Sequence, residues 1–583
     1  MISHVLVKDT SCLKVRTSYK CFVKYFPKCS VQSSFHSYDE LAFSRRLYNL
    51  PRTLLNSRYY SNHSHGLVHG SKSPPSSQFL VPSFLQFNGQ LKALCNNSAF
   101  QALPIKLSDL QKHWPSLKPH PLPPKRVSLG IPSISNPPVD TVISDSPTSP
   151  HPPSFVQPHP PYGIFAAPIL DVRVLTNPGA VKRTYNLCLD ISKYPLLEGK
   201  DWKIGGSFGI MPPNSDAEVL HLAHLLKIPQ HELYVTKVLR TNGGRWPTIW
   251  GEDKPRCLYT SLYHIFKWCS DFISKPPTKS LIRLLAEHTL NPVEKSVLLA
   301  LSDFRQDESY CRICTQSCVT LPDILEAFPS CHPPVDHLIS ALPQLMPRWY
   351  SISNDPSLAN KRLEMAFTVQ EYHSPNGQSR TGICTGFLED LALAFLKARH
   401  DGSLANKKFT VPMFRGVQQN PFAKEFHNDG PMCLIGAGVG IAPFRGFVQR
   451  RLANAACTGK VWIIQGCRDQ KLDELYHGEW NTVPGHHKNP KCRAKKLVVE
   501  SRNGRREYVQ DAVRRHGDVI WDVLSHKNGR IYLCGSGNSF VSEIEKALMD
   551  VAMKYGKLSK EEAQKELKNW QKPMNCKLIK EVW

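Results

Sequence analysis

Hydrophobic and polar positions divide this chain near Tyr162. Beyond that point "YNLCLDIS" alternates with the two-residue period of a half-buried strand, and "SDAEVLHLAHLLKI" repeats apolar residues three and four apart, with Ser215 placed to cap a helix. From roughly Ile228 to Phe328 the spacing is mostly helical, as in "SLIRLLAEHTL" and "LPDILEAF". Alternation returns at "RWYSIS" and "RLEMAFTVQEY". After Gly430 the order becomes strand, glycine turn, helix and strand again, through "MCLIGAGVGIAPFRGFVQRR", "KVWIIQGCRD", "KLVVESR" and "RIYLCGSG". Strands alternating with helices of this length predict a doubly wound parallel sheet. The expected architecture is a strand-rich module over 164–430, with a helical insertion at about 228–330, followed by an α/β module over 431–583.

Upstream, the pattern disappears. Residues 1–60 read as a basic leader, since 1–58 carry ten Lys/Arg against three acids. That composition, with "SRYYSNHS" after it, suits a mitochondrial presequence, a disordered leader or a misassigned start. Residues 61–163 read as a Pro/Ser-rich disordered linker without a core, with 16 prolines between Pro104 and Pro161. The net charge of +25 would suit nucleic acid, but residues 1–163 hold 17 Lys/Arg against 6 Asp/Glu, so +11 of the excess lies in the leader and linker. The expectation is therefore no nucleic acid, and with no run near the roughly 20 apolar residues of a bilayer span, no membrane. Eighteen cysteines without a regular framework suit a reducing compartment, so the cytoplasm is expected, with the mitochondrial matrix as alternative.

Four stretches carry candidate chemistry. In "CLIGAGVGIAPF", Gly436, Gly438 and Gly440 follow a strand and precede a helix with Pro443 in its first turn, which lets a pyrophosphate approach the backbone and the helix amides. Packing alone also requires such turns. "VVESRNGRREYVQ" places Ser501, Arg502, Arg506 and Tyr508 after a strand; arginine forks suit the 2′-phosphate of NADPH, and a solvated charged face is the plain alternative. In "LMPRWYSISND", Arg348 and Tyr350 share one strand face, so a charge meets a phosphate beside a ring that covers a flat heterocycle, and "GICTGFLEDL" adds a second turn entering a helix. The chain stops at "LIKEVW", where Trp583 is either a frayed hydrophobe or an aromatic lid. Cys467 and Cys534 end strands and read equally as core cysteines. "CRIC" at Cys311–Cys314 has no partner pair at zinc spacing, so no metal is expected.

In this order the pieces resemble the FAD/NADPH half of the diflavin oxidoreductases, over roughly 164–583. The resemblance implies a ferredoxin–NADP reductase-like fold: an antiparallel FAD-binding β-barrel with a helical connecting insertion, then a doubly wound parallel-sheet NADPH-binding domain. It implies that Lys182, Arg348, Trp349, Tyr350, Ser351, Tyr372, Gly382, Ile383, Cys384, Thr385 and Trp583 hold FAD. Gly436, Gly438, Gly440, Arg468, Ser501, Arg502, Arg506, Tyr508, Val509, Gln510 and Ser536 would hold NADPH. Ser351, Cys534 and Glu581 would line the path of hydride transfer. "MPPNSDAEV", "FPSCHPP" and the long proline-rich hinge are similar to the branch that delivers electrons to methionine synthase, making that enzyme an expected partner. Val439, Ser536 and Glu581 depart from the family's usual threonine, aspartate and aspartate, and Trp583 lacks the customary following residue. Residues 1–103 lack the pattern of a flavodoxin-like FMN domain, so FMN is expected only through a separate or missing domain, with a separate FMN protein as the other possible acceptor. The rival readings are a general NADPH–haemoprotein reductase, a silent interaction protein keeping the fold, and a basic nucleic-acid-binding protein acting through leader and hinge.

Overall fold

The computed structural model describes residues 88–583, apart from 112–116, 132–141, 144–150, 159–162, 199, 244–253, 306–307, 316–317, 417–419, 425, 428, 482–491, 505 and 583. The leader 1–60, the linker as far as residue 87 and Trp583 lie outside the described residues.

The alternating segments form the expected antiparallel barrel. Its strands are β1 (Phe165–Val174), β2 (Thr184–Asp190), β3 (Ser207–Ile210), β4 (Arg348–Ser351), β5 (Arg362–Thr368) and β6 (Thr410–Arg415), in the order β4-β3-β6-β1-β2-β5. The sheet closes where the Ser353 amide donates to the Glu364 carbonyl at 2.8 Å, and the Asn354 side chain bridges the Arg362 carbonyl and the Glu364 amide. Inward residues such as Leu187, Phe208, Met365 and Val411 fill the interior. Gly209 is obligatory there, because a Cβ would lie 2.2 Å from the Phe414 ring. An 18-residue helix, Ile383–His400, seals the barrel with Leu388, Ala392 and Phe395.

The helical insertion is larger than expected, running from the helix Asp216–Leu225, capped by Ser215 and Glu218, to the helix Val335–Ala341. It also contains strands Lys237–Thr241 and Arg256–Thr260. The expectation of a coreless linker fails over the described residues between 88 and 130. Helices Asn88–Asn96, Ser98–Ala102 and Leu107–Gln111 place Leu94, Phe100, Leu103 and Leu110 in the insertion's core, with Phe100 edge-on to Phe328 at 5.7 Å. Strand Val127–Gly130 pairs with Lys237–Thr241, and Asp109 meets Arg312 at 2.6 Å. Prolines averaged over a long window conceal short apolar runs, each too small to fold alone yet large enough to bury against helices formed elsewhere.

The C-terminal module is the expected parallel sheet: β7 (Met432–Ala437), β8 (Val461–Cys467), β9 (Ala494–Glu500), β10 (Arg530–Gly535) and β11 (Leu578–Val582), in the order β9-β8-β7-β10-β11. Helix Ala442–Ala453 follows the glycine turn, with Pro443 in its first turn, and is buried nearly all round. It docks on the barrel. Arg445 donates to Glu479 at 2.7 Å and to Glu364 of β5 at 2.9 Å; Arg173 of β1 donates to Glu479 at 2.7 Å. The Tyr476 ring lies under Arg445, and its hydroxyl donates to Asn186 of β2 at 2.9 Å. One turn further along, Arg450 grips the fully buried Asp355, whose amide donates to Gln449. Breaking such a buried pair strands a charge away from water. Arg445→Ala is therefore expected to cost about 3 kcal/mol of stability, read as a lower urea midpoint at unchanged slope.

Candidate functional site

The flavin-side candidates converge on the start of helix Ile383–His400. Gly382 caps it in an extended conformation with no side-chain cap, so the first-turn amides stay open, and no acid occupies that turn. Gly386 is required there, since a Cβ would meet the Thr381 hydroxyl at 2.2 Å. The Thr385 hydroxyl accepts from the Gln370 amide at 3.2 Å. Strand β4 abuts this turn: the buried Tyr350 hydroxyl donates to Cys384 Sγ at 3.2 Å, and burial pushes the Cys384 thiol up to about 11. Tyr350 thus lies in the barrel core. Trp349 packs edge-on to Phe414 at 5.4 Å and over Gly416, where a Cβ would touch its ring at 2.3 Å. Ile383 packs towards the insertion's core, leaving its backbone to the turn. Arg348 and Ser351, at the two ends of β4, keep partial exposure. Tyr372 lies opposite Arg380 in the hairpin Glu371–Thr381, and Arg380 is clamped by Asp323 at 2.7 and 2.8 Å. Lys182 is exposed on the β1–β2 turn beside Arg183, which is tied to Glu371 and Glu389.

The pyridine-nucleotide candidates gather at the carboxyl ends of the parallel strands, where open α/β sheets bind ligands. The three glycines of the turn differ in role. Gly436 and Gly440 pack: a Cβ on Gly440 would sit 2.3 Å from the Cys534 carbonyl oxygen. Gly438 has φ +54° and faces open space, so it alone keeps the backbone approachable. Arg468 follows β8, and the Ser501 and Arg502 amides donate to the Cys467 and Arg468 carbonyls, which sets the loops after β8 and β9 side by side. Arg502 donates to the exposed Tyr508 hydroxyl at 3.0 Å. Arg468 and Arg506 are exposed and make no ion pair among the described residues. Glu500 is occupied by the Gln470 amide at 2.7 Å. Gln510 is partly exposed, whereas Val509 is buried beside Gly466 and offers only its backbone. Ser536 is exposed just before helix Asn538–Tyr555, whose cap, Gly537, is again open.

The two halves meet at Cys534 and Glu581, register partners on β10 and β11. Asn420 Nδ2 donates to Glu581 Oε1 at 3.3 Å and to the Gly205 carbonyl at 2.6 Å. The neighbouring Gly206 carbonyl accepts from the Ile352 amide, next to Ser351. Glu581 Oε2 is buried with no partner among the described residues.

Residues 157–387 match the family described as an FAD binding domain, and 434–546 that of an oxidoreductase NAD-binding domain. The chain is 50% identical over 455 residues, covering 74% of itself and 78% of the relative, to an uncharacterized FAD-binding protein of Schizosaccharomyces pombe. It is an FAD-binding reductase of the diflavin reductase family. The reductase is also 30% identical to human methionine synthase reductase, covering 69% of this chain and 59% of that one. For rat NADPH–cytochrome P450 reductase the values are 26% identity, 50% and 42%. It thus spans about three-fifths or less of the length of these two relatives.

The reductase's residues fit the groups its domains bind. Two open helix N-termini suit phosphates, Gly438 leaves approachable backbone, and the orphaned Glu581 oxygen lies between the halves. Asn420 and Gly205 escaped sequence reading, because a lone Asn in a loop carries no motif; only the fold brings it to Glu581. Burial pushes the Glu581 carboxyl up to about 7, against the Asn420 hydrogen bond that lowers it. A raised carboxyl keeps its proton in the folded state after the unfolded chain has lost it. Stability therefore falls as pH rises from the ordinary glutamate value towards about 7. Glu581→Gln is expected to match the native protein in thermal unfolding at about pH 4 and to be the more stable at about pH 8.

Proposed function

We propose that this chain is an NADPH-dependent FAD reductase that passes electrons onward as methionine synthase reductase does, in the reductive reactivation of methionine synthase. The observation that carries the choice of NADPH is the basin of Arg468, Arg502 and Arg506 beside Ser501 and Tyr508, with Glu500, the acid that ends β9, turned to a backbone amide. Arginine forks hold a 2′-phosphate, whereas an acid at that place would favour the bare ribose. The acceptor is methionine synthase itself or a separate FMN-bearing, flavodoxin-like protein. The likeness to NADPH–cytochrome P450 reductase supports a general haemoprotein reductase as the second reading.

In this scheme the amides of Cys384 and Thr385, with Arg348 and Lys182, hold the flavin nucleotide's phosphates, and Tyr372 flanks its adenine. Gly438 and the helix entered at Ser536 hold the nicotinamide end of NADPH, and Gln510 with Tyr508 its adenine end. When bound, FAD accepts hydride and releases electrons singly. Ser351 and the Cys534 thiol would lie on the path of hydride transfer, and Glu581, pushed up to about 7 by burial, would hold a proton there.

Purified protein is expected to be yellow and to lose its roughly 450 nm band on anaerobic NADPH addition. A colourless protein that stays colourless in FAD overturns the proposal. Arg502→Ala should raise KM for NADPH about 10- to 150-fold and leave that for NADH nearly unchanged, since a hydrogen bond to a charged group contributes about 1.5–3 kcal/mol. The acceptor follows from comparing reduction rates of cobalamin-bound methionine synthase, an FMN protein and a haemoprotein.

A further inference from the structure

At the end of the parallel sheet opposite the nucleotide site, Cys457 and Cys492 lie with their sulfurs 3.5 Å apart. Neither is in a disulfide, and both are fully buried. Cys457 sits in the connection between helix Ala442–Ala453 and β8, and Cys492 immediately precedes β9. Both thiols approach the same acceptor, the Gly459 carbonyl, at 3.8 and 3.7 Å. The completely buried Arg451 points its Nε at Cys457 Sγ, 3.0 Å away. Its remaining donors go to the main-chain carbonyls of His427, Gly430 and Gly459, and no carboxylate pairs with it among the described residues. Burial pushes Cys492 up to about 12, so Cys492 keeps its proton. With the sulfurs 3.5 Å apart, each can resolve an oxidised neighbour. The connection carrying Cys457 is fastened from outside: the Thr458 and Gly459 amides donate to the exposed Asp429 at 3.1 and 3.0 Å. Solvent-facing bonds of this kind open locally at low cost and admit a small reagent.

We infer that Cys457 and Cys492 form an oxidisable dithiol, a modification site that hydrogen peroxide closes to a disulfide. Cys457 Sγ attacks one peroxide oxygen; the O–O bond breaks and the leaving hydroxide takes the Cys457 proton to become water. Cys492 Sγ then displaces the hydroxyl from the resulting sulfenic acid, forming the S–S bond, and its proton leaves in a second water. Two thiols are oxidised and one peroxide is reduced. The bridge would tie β8 to β9 at the end remote from Arg468 and Ser501, closing a loop whose ends are 35 residues apart.

The test treats the full-length protein with hydrogen peroxide, alkylates free thiols after denaturation, and maps the peptides. The expected result is a linked Cys457–Cys492 peptide lighter by two hydrogens, cleaved by dithiothreitol, with a higher thermal midpoint before cleavage. In Cys492→Ser the bridge is lost and dimedone labels Cys457. The inference is overturned if both cysteines remain alkylatable after peroxide has consumed the exposed Cys311. It is equally overturned if they pair with other cysteines. Should Cys492→Ser not fold, the peptide map of the native protein decides alone.

Discussion

The structure depends on one buried cation. Arg445 stands between Glu364 of the barrel and Glu479 of the α/β module, with Arg173 across from it and Tyr476 beneath. A guanidinium there is tolerable only while both carboxylates face it, so the network holds its geometry closely. The helix that carries Arg445 begins at the glycine turn of the nicotinamide site and, through Arg450 and Gln449, ends its hold at Asp355, just beyond strand β4. Backbone contact reinforces the docking: a Cβ on Gly446 would lie 2.6 Å from the Asn354 carbonyl oxygen. One rigid helix thus sets the separation of the two nucleotide sites, which matters when atoms must meet within about 3–3.5 Å.

Much of the fold was legible in the order of periods: two, then 3.6, then strand–turn–helix units. The elements around Ser215, Arg348, Gly436 and Ser501 appear as expected because local propensity and tertiary packing agree there. The proline-rich stretch misled because its buried residues, Leu94, Phe100 and Val127, find partners only through distant chain. Among site residues, motifs located backbones better than side chains. Tyr350, Ile383 and Val509 lie at the expected turns, yet their side chains face cores, and Gly440 is explained by the Cys534 carbonyl without any ligand. The Arg445 network and Asn420 had no local signature at all, since their meaning arises from contacts more than 30 positions away.

The parallel sheet has two chemically unlike ends. Carboxyl ends of strands gather exposed arginines, open helix amides and a carboxyl that keeps its proton near neutrality, all suited to anions and charge movement. The amino ends gather a buried arginine held by carbonyls and two adjoining sulfurs. The strands separate these environments, so chemistry at one end proceeds without touching groups at the other.

The stretch 88–130 also has a consequence in time. Asn97 donates to the Glu326 carbonyl, 229 positions later, and the Val127 amide to Ser340. On the ribosome these early pieces would emerge on the order of 10–50 s before the helices that receive them. For that interval their apolar faces stay open to solvent and to chaperones, so the first-made part of the described chain is among the last to find its place.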